Sequence, residues 1–177
     1  LGQTDVAEAS FRKAAALEPG REYPHYMLGN LYQTQDRYVE AKASYERVLA
    51  IRPDHAVAAN NLGWVFIENG SDLVQAQRLA ERAAREQPDM AQIKDTLGWI
   101  HYRAGRFAEA ADQFVRALEL EPDQAIFHFH LGMAKFKAGD VKAARAALEA
   151  SLELDQEHEE AQITRQTLEK ISQGRDG

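Results

Sequence analysis

Between residues 125 and 137 the sequence AIFHFHLGMAKFK carries two apolar stripes at helical spacing. Ile126, Phe129, Met133 and Phe136 make one, and Phe127, Leu131 and Ala134 make the other. A surface helix needs one such stripe, so a helix with two must meet something on both sides. The first stripe has counterparts upstream at the same spacing: Tyr23, Tyr26, Asn30 and Gln33, then Val57, Asn60, Trp64 and Ile67, then Gln92, Asp95, Trp99 and Tyr102. The pattern therefore predicts repeated helices, each with more than one neighbour.

Three further markers keep the same period. Leu-Gly falls at Leu28-Gly29, Leu62-Gly63, Leu97-Gly98 and Leu131-Gly132, and proline at Pro19, Pro53, Pro88 and Pro122. Alanine recurs at Ala7, Ala41, Ala76, Ala110 and Ala144, followed four residues later by Phe11, Tyr45, Ala80, Phe114 and Leu148. Each period reads as two helices. The first holds Leu-Gly at its middle, where glycine costs about 1 kcal/mol relative to alanine, so its recurrence implies close helix approach. It ends near Gly70, Gly105 or Gly139, with Asp36 in the first full unit, residues suited to a left-handed terminus. The second helix stops before proline.

These residues resemble the tetratricopeptide repeat (TPR) family, whose signature includes Leu-Gly, Ala-x-x-x-Phe and a late proline. The resemblance implies an all-α, right-handed superhelical solenoid of antiparallel helix pairs. It divides one domain spanning 1–177 into the second helix of a truncated repeat at 1–19, repeats at 22–55, 56–90, 91–124 and 125–158, and a capping helix at 159–177. Because the chain opens in mid-unit, a longer parent array is expected. The place three before each Leu, bulky in the family, holds His25, Ala59, Lys94 and His128 here, which weakens packing within each unit.

In this family the first stripe lines a concave groove. Trp64 and Trp99 are equivalent residues of successive units and are expected as neighbouring rungs on that wall. Large aromatics offer about 150–250 Å² each, and a monomer rarely exposes more than a few hundred Å² of contiguous apolar surface, so such a wall is expected to bind a partner. The candidate binding residues are Tyr23, Tyr26, Asn30, Asn60, Asn61, Trp64, Ile67, Trp99, Tyr102, Arg103, Phe129, Met133, Phe136 and Lys137. Asn30, Gln33, Asn60, Asn61 and Gln92 supply amides able to pair with a peptide backbone, and Arg103 and Lys137 supply cations for an acidic side chain. A subfamily that clamps terminal carboxylates is excluded. Its positions hold Tyr26, Asn30, Asn61, Gln92 and Thr96, matching both asparagines but none of the three cations.

Composition narrows the chemistry. The chain has 177 residues, net charge −7 and no cysteine, which removes disulfides, thiol catalysis and zinc-thiolate sites. The acidic balance argues against nucleic acid as a partner, and no apolar run is long enough for direct membrane insertion. The acidic run LELDQEHEE reads as a solvated loop and helix start. No phosphate loop, HExxH or nucleophile elbow is present, and His128 and His130 point to different sides of one helix. The expected function is a non-enzymatic interaction scaffold, with no cofactor and no metal, holding a protein or peptide in its groove. Two alternatives are a self-assembling array, with the truncated first helix pairing with another chain as a homo-oligomer, and a carbohydrate-binding module. The phrases NNLGW and DTLGWIHYRAGRF are similar to the C-terminal repeats of bacterial TPR lipoproteins linked to exopolysaccharide production and export, which implies a periplasmic or envelope-associated setting.

Overall fold

The computed structural model describes residues 2–70 and 72–174. Among them are ten α-helices and no strand. Contacts divide the chain into two compact units, residues 1–88 and 89–177.

Unit 1 contains α1 (Gln3–Leu17), α2 (Glu22–Gln33), α3 (Tyr38–Ile51), α4 (Ala56–Glu68) and α5 (Leu73–Glu86), each packed against the next. Unit 2 contains α6 (Ala91–Arg103), α7 (Phe107–Leu120), α8 (Ala125–Lys137), α9 (Val141–Leu154) and α10 (Ala161–Ser172). Here too successive helices pack in chain order, and α6 also touches α8. Serial stacking of helix pairs within each unit is the arrangement of a helical solenoid.

Local chemistry sets the helix ends. Asp36, Gly70, Gly105 and Gly139 take positive φ (57°, 63°, 75° and 81°), turning the chain out of each first helix. Residues Arg52, Gln87 and Glu121, just before prolines, leave the helical conformation. Asp72 accepts the Val74 and Gln75 amides, Asp140 accepts that of Ala143, and His55 Nδ1 accepts that of Ala58 at 3.2 Å.

The Leu-Gly glycines are packing devices. A Cβ on Gly98 would stand 2.5 Å from the Phe114 ring, and one on Gly29 2.5 Å from the Tyr45 ring. Thus the large residue four places after each marker alanine fills the space that glycine leaves on the partner helix. In the pair α4–α5 the filler is only Ala80, and Gly63 instead approaches the Ala76 carbonyl, 3.2 Å from an added Cβ.

A salt bridge and a hydrogen bond, both on Glu8, join α1 to its neighbours. Arg37 donates to Glu8 at 2.7 Å and to Glu40 at 2.9 Å, the Tyr32 hydroxyl donates to Glu8 at 3.1 Å, and the guanidinium lies over the Tyr32 ring.

Candidate functional site

In unit 1 the site grows from α2, α3 and α4. Tyr45 on α3 is fully buried except for what its hydroxyl touches: Asn30 Oδ1 at 2.7 Å and Gln33 Oε1 at 2.8 Å, both on α2. From α4, the Asn61 amide donates to Asn30 Oδ1 and to the Tyr45 oxygen, each at 3.3 Å. Burial pushes the Tyr45 phenol well above its ordinary range, so it stays protonated and can donate. Tyr26 completes the wall, tilted against Tyr45 at 6.3 Å and stacked on His55 at 5.2 Å. Asn30, Gln33, Asn61, Tyr26 and Trp64 are all half-buried, and Tyr23 is 61 % exposed. Asn61 and Trp64 lie three apart on α4 and share a face.

Unit 2 uses the equivalent positions differently. Trp99 on α6 stacks on Tyr102 (4.7 Å, 2° between planes) and on His130 of α8 (4.4 Å, 28°). His130 Nδ1 lies 2.7 Å from Asp95 Oδ1, and both residues are buried. Burial pushes the Tyr102 phenol upward. Trp99 and Tyr102 are half-buried, packed on the Ala110, Ala111, Phe114 and Ala134 core, while Arg103 and Lys137 are exposed.

Four candidates are not on an open wall. Phe129 and Phe136 are 4 % and 6 % exposed because α10 lays Leu168 and Ile171 over the α8 stripe. Thr167 of the same helix sits 3.8 Å from the Met133 sulfur, leaving Met133 half-covered. The surplus apolar face of α8 is thus met by the chain itself. Ile67 and Asn60 belong to α4, which is buried over most of its circumference, and they are 0 % and 5 % exposed. Burial keeps the Asn60 side chain from being offered to a groove, and its carbonyl oxygen is buried without a hydrogen-bond partner.

Sequence reasoning missed Tyr45, His55 and the Asp95–His130 pair. The usable signal was an offset of 31 residues: Asn30 with Asn61, and Trp99 with His130, meet at the same corner in the two units. His158, within the run read as solvated, is also tucked in, its ring 6.1 Å from that of Phe129 and its side chain 7 % exposed. Its Nε2 is 3.0 Å from Ser151 Oγ, and its Nδ1 is 3.4 Å from Glu160. This imitates a nucleophile–base–acid row, but Ser151 is fully buried and donates its proton to the Ala125 carbonyl at 2.8 Å. The row fastens the start of α8 to the loop before α10. No group of acidic or histidine side chains able to hold a metal is found among the described residues. No helix among them is long and apolar enough to cross a membrane.

Models described as tetratricopeptide repeat match residues 23–55 and 96–159, together more than half of the chain. No curated protein sequence matches it. Among solved structures, MamA from Desulfovibrio magneticus RS-1, residues 41 to the end, is 22 % identical with a TM-score of 0.74, over 89 % of each chain. PilF of Pseudomonas aeruginosa is 21 % identical with a TM-score of 0.79, over 99 % of this chain and 79 % of that one. YrrB, described as a TPR protein with an unusual peptide-binding site, is 21 % identical with a TM-score of 0.68, over 93 % and 84 %. At these identities the likeness concerns the fold.

Proposed function

As this chain belongs to the tetratricopeptide repeat family, we propose that it is a non-catalytic interaction scaffold, and that Tyr26, Asn30, Gln33, Asn61 and Trp64 of unit 1, with the three amides held in place by the buried Tyr45 hydroxyl, grip an extended peptide segment of a partner protein. The carrying observation is the amide cluster around one phenol. Tyr45 has a single proton and two carbonyl acceptors within 2.8 Å. Turning the Gln33 amide over satisfies the cluster, since its NH₂ then donates to the Tyr45 oxygen. That leaves the Asn30 NH₂ and the Gln33 carbonyl directed away from the phenol. One donor beside one acceptor complements the C=O and N–H of an extended residue. Trp64 and Tyr23 continue this surface with ring area for side chains.

No cation belongs to this cluster, so the segment recognised is internal or neutral rather than a terminal carboxylate. A site held rigid by its own hydrogen bonds loses little ordering entropy when a peptide docks. The peptide-binding site named for YrrB supports the same class of partner. Stacking of Trp99 on Tyr102 and His130 counts against that ring as a sugar platform. Self-assembly is the second reading, favoured by Val6 and Leu17 of α1, which are 54 % and 72 % exposed. Light scattering across a concentration series separates it from a monomeric scaffold. The resemblance to exopolysaccharide-linked lipoproteins supports a bacterial envelope setting, which fractionation of cells making the intact protein tests.

Selection from a displayed random-peptide library at pH 7.5, followed by calorimetric titration, tests the site. The expected result is a selected peptide whose affinity drops about ten-fold on Asn61→Ala, the loss of roughly one hydrogen bond. No selected peptide, or full affinity in Asn61→Ala and Trp64→Ala alike, overturns the assignment.

A further inference from the structure

The His55 ring does two jobs at once, one through its edge and one through its face. Its Nδ1 accepts the Ala58 amide and so caps α4, the helix that carries Asn61 and Trp64. Its face stacks on Tyr26, which in turn leans on Tyr45 at the centre of the amide cluster. A neutral imidazole has one bare nitrogen and can accept that amide; an imidazolium has a proton on both nitrogens and cannot. Protonation therefore converts a cap into two N–H groups pointed at each other, next to a helix N-terminus that already carries partial positive charge.

We propose that His55 is an acid-sensitive latch on the peptide site: neutral, it caps α4 while stacked on Tyr26, and on protonation it releases the Ala58 amide and so frees the start of the helix that carries Asn61 and Trp64. This rests on the reading of that surface as the binding site.

The surroundings decide when the latch moves. Glu22 and Tyr26 face His55 from α2, Arg52 from the end of α3 and Asp54 from the intervening loop, with neutral Gln87 following α5. Arg52 and Glu22 are paired at 3.2 Å, so each blunts the other's effect on the ring. Burial, reinforced by Arg52, outweighs Glu22 and Asp54 and holds the imidazole below its ordinary value. The ring is nonetheless reachable by solvent, since a surface cleft of ≈ 250 Å³ is lined by Arg52, Asp54, His55, Ala56, Val57 and Gln87. It thus stays neutral near pH 7 and charges only below the ordinary imidazole range.

The test is an NMR titration of the whole chain from pH 7.5 to 5, following the His55 ring, the Ala58 amide and the Tyr26 ring together. The latch predicts that the Ala58 and Tyr26 resonances move with the His55 midpoint. It also predicts that in His55→Asn, which caps without titrating, both stay still over the same range, while His25→Gln behaves as wild type. A His55 titration that leaves Ala58 and Tyr26 unmoved overturns the latch, as does an unchanged Ala58 response in His55→Asn. No peptide is needed for this measurement, so failure of the peptide selection and failure of the latch are separate results. With a peptide selected at pH 7.5, the expected outcome is affinity about ten-fold weaker one pH unit below the His55 midpoint read in the NMR titration for wild type, and unchanged in His55→Asn; an equal loss in both proteins overturns the coupling.

Discussion

Asp95 and His130 meet at 2.7 Å inside unit 2, carried by the first helices of two successive pairs, with the Trp99 ring stacked on the imidazole. The two residues are 7 % and 3 % exposed, so water cannot replace either partner if it is lost. Asp95→Ala is expected to cost about 1–3 kcal/mol, the penalty for a buried polar group left unpaired. Asp95→Asn, which keeps an acceptor at the same place, should cost less. Urea denaturation followed by tryptophan fluorescence in a Trp64→Phe background, which leaves Trp99 as the reporter, reads both, and equal stability in all three proteins would remove the pair from the core's polar framework.

Gly98 and Gly63 occupy the same repeat position but face different fillers. An added methyl at Gly98 meets the buried Phe114 ring at 2.5 Å, whereas at Gly63 it meets the Ala76 carbonyl at 3.2 Å. Gly98→Ala is predicted to destabilise by about 1–3 kcal/mol through overpacking. Gly63→Ala should come out near neutral, because the gain of about 1 kcal/mol in helix propensity offsets a milder clash. Chemical denaturation of the two variants side by side checks the ordering.

Acid should loosen unit 1 in two stages. Burial holds the His25 and His55 imidazoles below their ordinary value. The unfolded chain then binds more protons than the fold as pH falls past about 6.5. The stabilisation from these neutral rings is present above that value and is lost as pH falls through their folded pKa. Glu8 and Glu40 are held low chiefly by their hydrogen bonds to Arg37, so their contribution persists above about pH 4.5 and is lost below it. Thermal melts at pH 7.5, 5.5 and 4 should show a falling midpoint, with the first drop reduced in His55→Asn. A midpoint that rises on acidification contradicts this assignment.

The cover that α10 provides makes a separate prediction. Ile171 is 7 % exposed against Phe129 and Phe136. Ile171→Ala should cost about 2–5 kcal/mol and uncover the α8 stripe. Increased binding of a hydrophobic dye under native conditions reports the exposure; no change in stability or dye binding would mean that α10 does not shield that face.

Much of the fold was legible because its determinants are local or periodic. Leu-Gly, the marker alanines and the prolines each state a packing need that recurs, and Gly98 facing Phe114 meets that need directly. The site was legible only in part. Helical spacing placed Tyr26, Asn30, Trp64 and Trp99 on one stripe with Asn61 beside it, but a stripe does not say what covers it. Phe129 and Phe136 fit the pattern as well as Trp99 and are buried, because α10 offers Leu168 and Ile171 from more than 30 residues away. The contacts of His130 with Asp95 and of Asn61 with Asn30 each span a whole repeat, and side-chain type alone carries no trace of them.

The most direct test follows the side-chain NH₂ signals of Asn30, Gln33 and Asn61 by NMR while a library-selected peptide is added at pH 7.5. The account predicts that these three, with the Trp64 indole, show the largest shifts and saturate together at the calorimetric stoichiometry. Saturable binding that leaves all four unmoved would contradict it.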